Sequence, residues 1–291
     1  MSITASQVKE LRERTGAGMM DCKKALQDAQ GDMDAAIEIL RKSGAAKAVK
    51  KSGRIAAEGR MVLALSADAV ALAEINCETD FVAKDEGFAR FAQFVAEQVL
   101  AHNPGDVAAL AALPGDGVDS IEAQRQGLIT KIGENITIRR FTRWAPSSGK
   151  IASYLHGTRI GVLVELAGGA EGLGRDLAMH VAAAKPEYLD EGEVPAEILA
   201  KEREIYRAEA ATSGKPEAIV EKMVEGRVKK YLTEVTLPGQ PFIKDPDTTV
   251  AKLLQQQKAR VLRFIRLEVG EGLAKKDSDF AAEVMAQVQG Q

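Results

Sequence analysis

The stretches MVLALS (61–66) and AVALAEINC (69–77) decide the fold. Both are short, apolar and strand-like, and only Ala67 and Asp68 part them, so they read as the two arms of a hairpin. Beyond them the period lengthens. Phe88, Phe91, Phe94 (or Val95) and Val99 recur at three and four, the spacing of one helix face. A Gly/Pro/Asp-rich segment, 102–119, leads to a helix expected over 120–132 and a strand over Asn135–Thr142, where Ile136 and Ile138 alternate with Thr137 and Arg139. The same order then returns. KIASYLH (150–156) and RIGVLVELA (159–167) flank Gly157 as a second hairpin, a helix over 172–184 carries Leu173, Leu177 and Val181, and a helix near 249–258 leads into the strand VLRFIRLEV. Hairpin, helix, helix, strand thus occurs twice. The fold class is α+β, with a core of two related subdomains on antiparallel sheets, 61–143 and 144–272.

Outside this core the chain reads as helical. Residues 1–44 form an expected three-helix module. Thr4 and Gln7 make a capping-box pair ahead of Val8 and Leu11, and Gly16 and Gly18 stop the first helix. Cys22, Ala25, Leu26 and Ala29 make the stripe of the second helix, and Asp32 or Asp34 caps a third that carries Ile37 and Leu40 and stops at Gly44. Residues 45–60 are the expected linker. Their Lys47, Lys50, Lys51 and Arg54 are either a solvated charge run or a basic contact surface. Within the second subdomain, 195–231 reads as an inserted antiparallel helical hairpin broken at Ser213-Gly214-Lys215-Pro216. Ile198, Ile205 and Thr212 make one side of its seam, and Ile219, Met223 and Gly226 the other. At 1.5 Å per residue such arms reach roughly 20–25 Å. The last stretch, 273–291, reads as a C-terminal helix with Phe280, Val284 and Val288 on one stripe.

The 291 residues are 45% hydrophobic and 28% charged, the mix of a folded soluble protein, and no stretch approaches the roughly 18 apolar residues of a spanning helix. Lys and Arg number 39 against 42 Asp and Glu, so the phosphate-neutralising excess of a nucleic-acid binder is missing. Cys22 and Cys77 have no CxxC neighbour, and the three histidines stand apart, so neither a metal nor a cofactor is expected. The charged N-terminus carries no apolar signal core, and a cytoplasmic compartment is the expectation. Phosphate loops, nucleophile elbows and HExxH are lacking, and His180, among apolar neighbours, reads as a packed histidine. A binding protein fits this inventory better than an enzyme.

The most distinctive segment runs from Glu74 to Lys84. It leaves a strand and enters a helix, so Thr79 or Asp80 falls at the N-cap, and Asp80 and Lys84 are spaced for an i,i+4 pair. Two readings of Phe81 stand. It is either a core residue behind a capping Asp80, or a protruding wedge beside a carboxylate.

VKELRERTGAGMMDCKKAL (8–26) together with NCETDFVAK (76–84) closely resembles bacterial elongation factor Ts. HGTRIGVLVE (156–165), HVAAAKPEYL (180–189), EKMVEGRVKKY (221–231), QPFIKD (240–245) and FIRLEVGEG (264–272) extend the likeness over nearly the whole chain. The resemblance implies a guanine-nucleotide exchange factor for the translational GTPase elongation factor Tu. It implies a ubiquitin-associated-like (UBA-like) N-terminal domain, two related subdomains, a coiled-coil protrusion and a C-terminal module. It further implies that Thr79, Asp80, Phe81 and Val82 form the exchange motif. In that motif Phe81 inserts between helices of the GTPase, and Asp80 helps disturb the site that holds Mg²⁺ against the nucleotide phosphates. Arg12, Met19 and Met20 match the N-terminal contact with the GTPase domain, and His156 and Gly157 match a contact with another domain of the partner. Neither nucleic acid nor membrane is implied as a direct partner, while self-association through the helical hairpin stays open. The competing classes are an RNA- or ribosome-associated protein relying on the 47–54 run, and an enzyme with an unrecognised site.

Overall fold

The computed structural model describes residues 3–212 and 214–273. The C-terminal helix expected on Phe280, Val284 and Val288 lies outside them. The chain divides into two compact units, one comprising the chain up to Ser66, Ala71–Arg143 and the stretch from Glu268, the other Ala67–Val70 and Trp144–Leu267.

The first unit opens with α1 (Ala5–Thr15), α2 (Met19–Asp28) and α3 (Met33–Lys51). The capping box forms as the sequence indicates: the Gln7 N–H donates to Thr4 Oγ1 at 3.3 Å and the Thr4 N–H to Gln7 Oε1 at 3.0 Å. Gly16, in the left-handed region, closes α1, and Asp32 caps α3 through the Ala35 N–H. Leu11, Cys22, Leu26 and Ala36 are buried among these helices. The third helix does not stop at Gly44. It continues to Lys51, because Gly44 serves a close approach instead of a terminus. A Cβ there would stand 3.0 Å from Thr130 Oγ1, so the missing side chain lets this helix lie against a later one. Residues 45–51 of the expected linker are therefore helical, and Ala48 joins the core.

Next come β1 (Glu58–Leu65), β2 (Val70–Cys77), α4 (Asp80–Ala83), α5 (Glu86–His102), α6 (Val107–Ala112), α7 (Ile121–Ile132) and β3 (Thr137–Trp144). The sheet order is β1-β2-β3, and β2, in the middle, is buried at every residue. Phe88, Phe91, Val95 and Val99 of α5 pack into the core with Ile75, Ile121, Ile129 and Ile138. Each large apolar side chain so buried contributes about 1.5–3 kcal/mol. The Gly/Pro/Asp-rich segment holds the short helix α6, capped by Asp106 and anchored by buried Leu110. The strand expected from Asn135 begins two residues later. Asn135 is instead an anchor, its N–H donating to Glu78 Oε1 at 2.6 Å and its Nδ2 to the Arg54 carbonyl at 2.8 Å.

The second unit contains β4 (Lys150–His156), β5 (Ile160–Gly168), α8 (Leu173–Ala184), α9 (Ala196–Ala211), α10 (Glu217–Val235), β6 (Pro241–Phe242), β7 (Asp245–Thr249), α11 (Val250–Gln256) and β8 (Ala259–Glu268). β4 and β5 pair antiparallel from Lys150↔Leu166 to His156↔Ile160, and the sheet order is β4-β5-β8. Leu173, Leu177 and Val181 of α8 cover Val162, Val164 and Leu166. β6 and β7, a pair the sequence did not announce, form a small antiparallel sheet of their own. Helices α9 and α10 pack together on a seam that keeps Met223 of the expected residues but is centred elsewhere. Ala210, Val220, Val224 and Val228 are buried with Leu199, Tyr206, Met223 and Leu232 around them, whereas Ile205 and Ile219 are exposed. The apolar residues of α10 sit in adjacent pairs, Ile219-Val220 and Met223-Val224, and one residue of phase turns the helix by about 100°.

Both middle strands bury a glutamate. Glu74 of β2 receives Arg139 Nη1 at 2.9 Å, Arg140 Nε at 2.6 Å and the Gly270 N–H at 2.8 Å. Glu165 of β5 receives Arg263 Nε at 2.7 Å and the Ser147 N–H and hydroxyl at 2.6 and 2.8 Å. In each case the arginine comes from the third strand of the same sheet.

Candidate partner-binding site

The strand-to-helix turn after β2 excludes Phe81 from the core. Thr79, not Asp80, is the N-cap of α4, its hydroxyl accepting the Val82 N–H at 3.4 Å. Val82 is buried in the core of the first unit, and Phe81, one residue earlier on this single turn, is 81% exposed. The four motif residues thus act as an anchor and a tip. Thr79 and Val82 fasten the turn, while Asp80 and Phe81 are presented to solvent.

Asp80 pairs with Lys84 at 2.7 Å across the expected four-residue spacing, and the hydrogen bond from that ammonium holds its carboxyl below the usual aspartate range. The far end of α4 is held as well. Arg60 Nη1 of β1 donates to the Ala83 carbonyl at 3.3 Å, and Asp85 caps α5 through the Phe88 N–H at 2.9 Å. On the near side the carboxylate of Glu134 meets the turn, a contact with no local signature, because it spans 55 residues of chain. Cys77, just before the motif, is buried. Burial first, and the charge of Glu134 second, push its thiol up to about 12, so it is inert at neutral pH.

Arg12 lies in the last turn of α1, and Met19 and Met20 open α2 just across the Gly16–Gly18 turn. All three are exposed, the methionines to 60% and 76%. His156 and Gly157 occupy the β4–β5 turn in the second unit. There Gly157 takes φ +57, and His156 Nδ1 lies 3.2 Å from the Tyr154 hydroxyl. His180 is buried, as expected, with Nε2 at 3.0 Å from Gln240 Oε1 and Nδ1 accepting the Ile243 N–H at 3.3 Å. Burial lowers its pKa, which keeps the ring neutral and structural.

A hollow of about 330 Å³ in the first unit is lined by Arg14, Leu40, Arg41, Gly44, Val118 and Thr130. Its two guanidiniums pair with Asp34 and Asp119. Among the described residues no group of His, Cys, Asp or Glu is arranged to hold a metal ion, and no helix is long and apolar enough to cross a membrane.

This mixed α/β molecule exposes an aromatic on a braced tip, two methionines at the start of α2 and a histidine at a hairpin end. The family model for elongation factor Ts matches residues 78–271. Proteins named elongation factor Ts from Thioalkalivibrio sulfidiphilus and Alkalilimnicola ehrlichii are 62% and 56% identical, each alignment covering 100% of both chains. That of Methylococcus capsulatus is 59% identical over 99% of both. The chain belongs to the elongation factor Ts family.

Proposed function

We propose that this chain is the guanine-nucleotide exchange factor of the translational GTPase elongation factor Tu, and that it acts by binding and deforming the partner, not by bond-making chemistry. The observation that carries the reading is Phe81, a large apolar side chain left exposed at the tip of a turn that Thr79 and Val82 fasten. An exposed phenylalanine offers about 2–3 kcal/mol of burial that only a partner realises. In this reading Phe81 enters between helices of the GTPase nucleotide-binding domain. Asp80 leaves Lys84 to disturb the partner's Mg²⁺ and phosphate-binding elements, while Thr79 and Val82 keep the tip in place. Arg12, Met19 and Met20 grip the same GTPase domain, and His156 and Gly157 touch a different one.

The mechanism follows from linkage. Nucleotide on such a GTPase is held by phosphate contacts and bridging Mg²⁺. A factor that weakens those contacts is itself weakened by nucleotide to the same extent. A 10⁴-fold faster release needs a barrier lower by roughly 5.5 kcal/mol, more than one phenylalanine provides, so broad contacts must brace the wedge. The finer architecture belongs to the same reading: a UBA-like N-terminal domain, two related subdomains at 61–143 and 144–272, and α9–α10 as a coiled-coil protrusion.

The RNA- or ribosome-associated alternative is not favoured. Of the basic run, Lys47 pairs with Asp21, Arg54 with Glu78, and Lys51 donates to the Gly133 carbonyl, and the chain as a whole lacks a basic excess. Phe81→Ala is expected to slow factor-stimulated GDP release about 30- to 150-fold, the rate equivalent of one buried phenylalanine. Stopped-flow release of a fluorescent GDP measures it. An unchanged rate in a folded variant removes Phe81 from the mechanism.

A further inference from the structure

Three donors at the entrance to α4 converge on one carboxylate. Glu134 Oε2 accepts the Glu78 N–H at 3.1 Å and the Thr79 N–H at 3.0 Å, and Oε1 accepts the Thr79 hydroxyl at 2.6 Å. We propose that Glu134 is the positioning residue of the exchange tip, setting the direction in which Phe81 is presented to the GTPase. This assignment rests on the exchange reading above.

A single turn of four residues cannot hold its own shape, since helix nucleation fixes several dihedrals for one hydrogen bond. Phe81 is 81% exposed, so little packing among the described residues holds its side chain. Its direction is therefore inherited from the backbone of residues 78–82. Val82 pins that backbone from the core and Arg60 holds its far end, but the entry angle is set where Glu134 binds. The Thr79 hydroxyl has one proton. Giving it to Glu134 leaves the oxygen lone pairs turned toward the Val82 N–H, so Glu134 also orients the cap.

The carboxylate is itself held. Gly133, at φ +89, ends α7 and turns the chain so that the next residue faces the turn after β2. Asn135 is then fastened on both sides, by its N–H to Glu78 and its Nδ2 to the Arg54 carbonyl. A rigid support of this kind is what a directed side chain needs, since about 1 Å of misplacement costs up to 10²-fold.

The test is a double-mutant cycle read by GDP release from the GTPase at saturating factor, using the full chain as wild type, Glu134→Ala, Phe81→Ala and the double variant. Glu134→Ala is expected to slow release about 10- to 100-fold, with Glu134→Gln, which keeps an acceptor, recovering most of the rate. The Glu134→Ala effect should vanish in the Phe81→Ala background, because both remove the same action. If Glu134→Ala does not fold, Glu134→Asp, with the carboxylate drawn back by one methylene, takes its place in the cycle. An unaltered rate in the Glu134 variant, or an equal slowing with and without Phe81, overturns the proposal while a slow Phe81→Ala leaves the exchange reading standing. A Phe81→Ala protein that exchanges normally overturns both.

Discussion

Glu74 and Glu165 are fully buried, and the cost of that burial has a pH signature. Desolvation alone would raise their pKa values. For Glu165 the bonds from Ser147, Arg263 and Ser148 outweigh it and bring the carboxyl down to about 2; for Glu74 the Gly270 N–H, Arg139 and Arg140 act in the same direction. A carboxyl with a depressed folded-state pKa contributes stability above its unfolded value, near 4.5, and loses it as pH falls toward the folded one. Glu165→Gln is therefore expected to cost about 1–3 kcal/mol at pH 7, with the difference from wild type closing between pH 4.5 and 2. Urea melts across that range measure it, and parallel curves would detach Glu165 from acid stability. Cys77, its thiol pushed up to about 12, should resist thiol reagents until the protein unfolds. At this scale the sequence was readable wherever partners are close in the chain, as with Thr4 and Gln7 or Asp80 and Lys84. It was silent where they are distant: nothing near Glu134 announces Thr79, and nothing near Glu74 announces Gly270.

Most elements were legible from period and punctuation, because a strand or an amphipathic helix writes its own burial pattern into neighbouring residues. The exceptions have physical causes. Gly44 reads as a stop signal and is a packing device, and on α10 the seam keeps Met223 but is centred on Val220, Val224 and Val228, with Ile219 and Gly226 exposed. The corrected seam makes a contrast that stability measurements can check. Val224→Ala, at a buried position, should destabilise by about 1.5–3 kcal/mol and open α9–α10 to proteolysis. Ile219→Ala, on the exposed side, should stay within about 0.5 kcal/mol of wild type. Equal costs at the two sites would restore the seam first read from the sequence.

For the whole molecule, two three-stranded sheets, β1-β2-β3 and β4-β5-β8, each carry a buried glutamate on the middle strand. The N-terminal helices are less separable than the sequence suggests, since α3 lies on α7 through Gly44 and sends Ala48 into the core of the first unit. Removal of residues 1–44 should weaken GTPase binding and also lower the melting temperature of what remains by several degrees, which calorimetry of the truncated chain would record. An unshifted transition would show that α3 contributes nothing beyond its own bundle. The route of the chain has a further consequence. The first unit is left at Arg143 and rejoined at Glu268, and the amide that completes the hydrogen bonding of Glu74 is 196 residues downstream. At about 5–20 residues per second, the ribosome delivers that amide roughly 10–40 s after the glutamate. The nascent chain must wait through that interval with a carboxylate incompletely satisfied, and its first unit gains that bond only once Gly270 has been added.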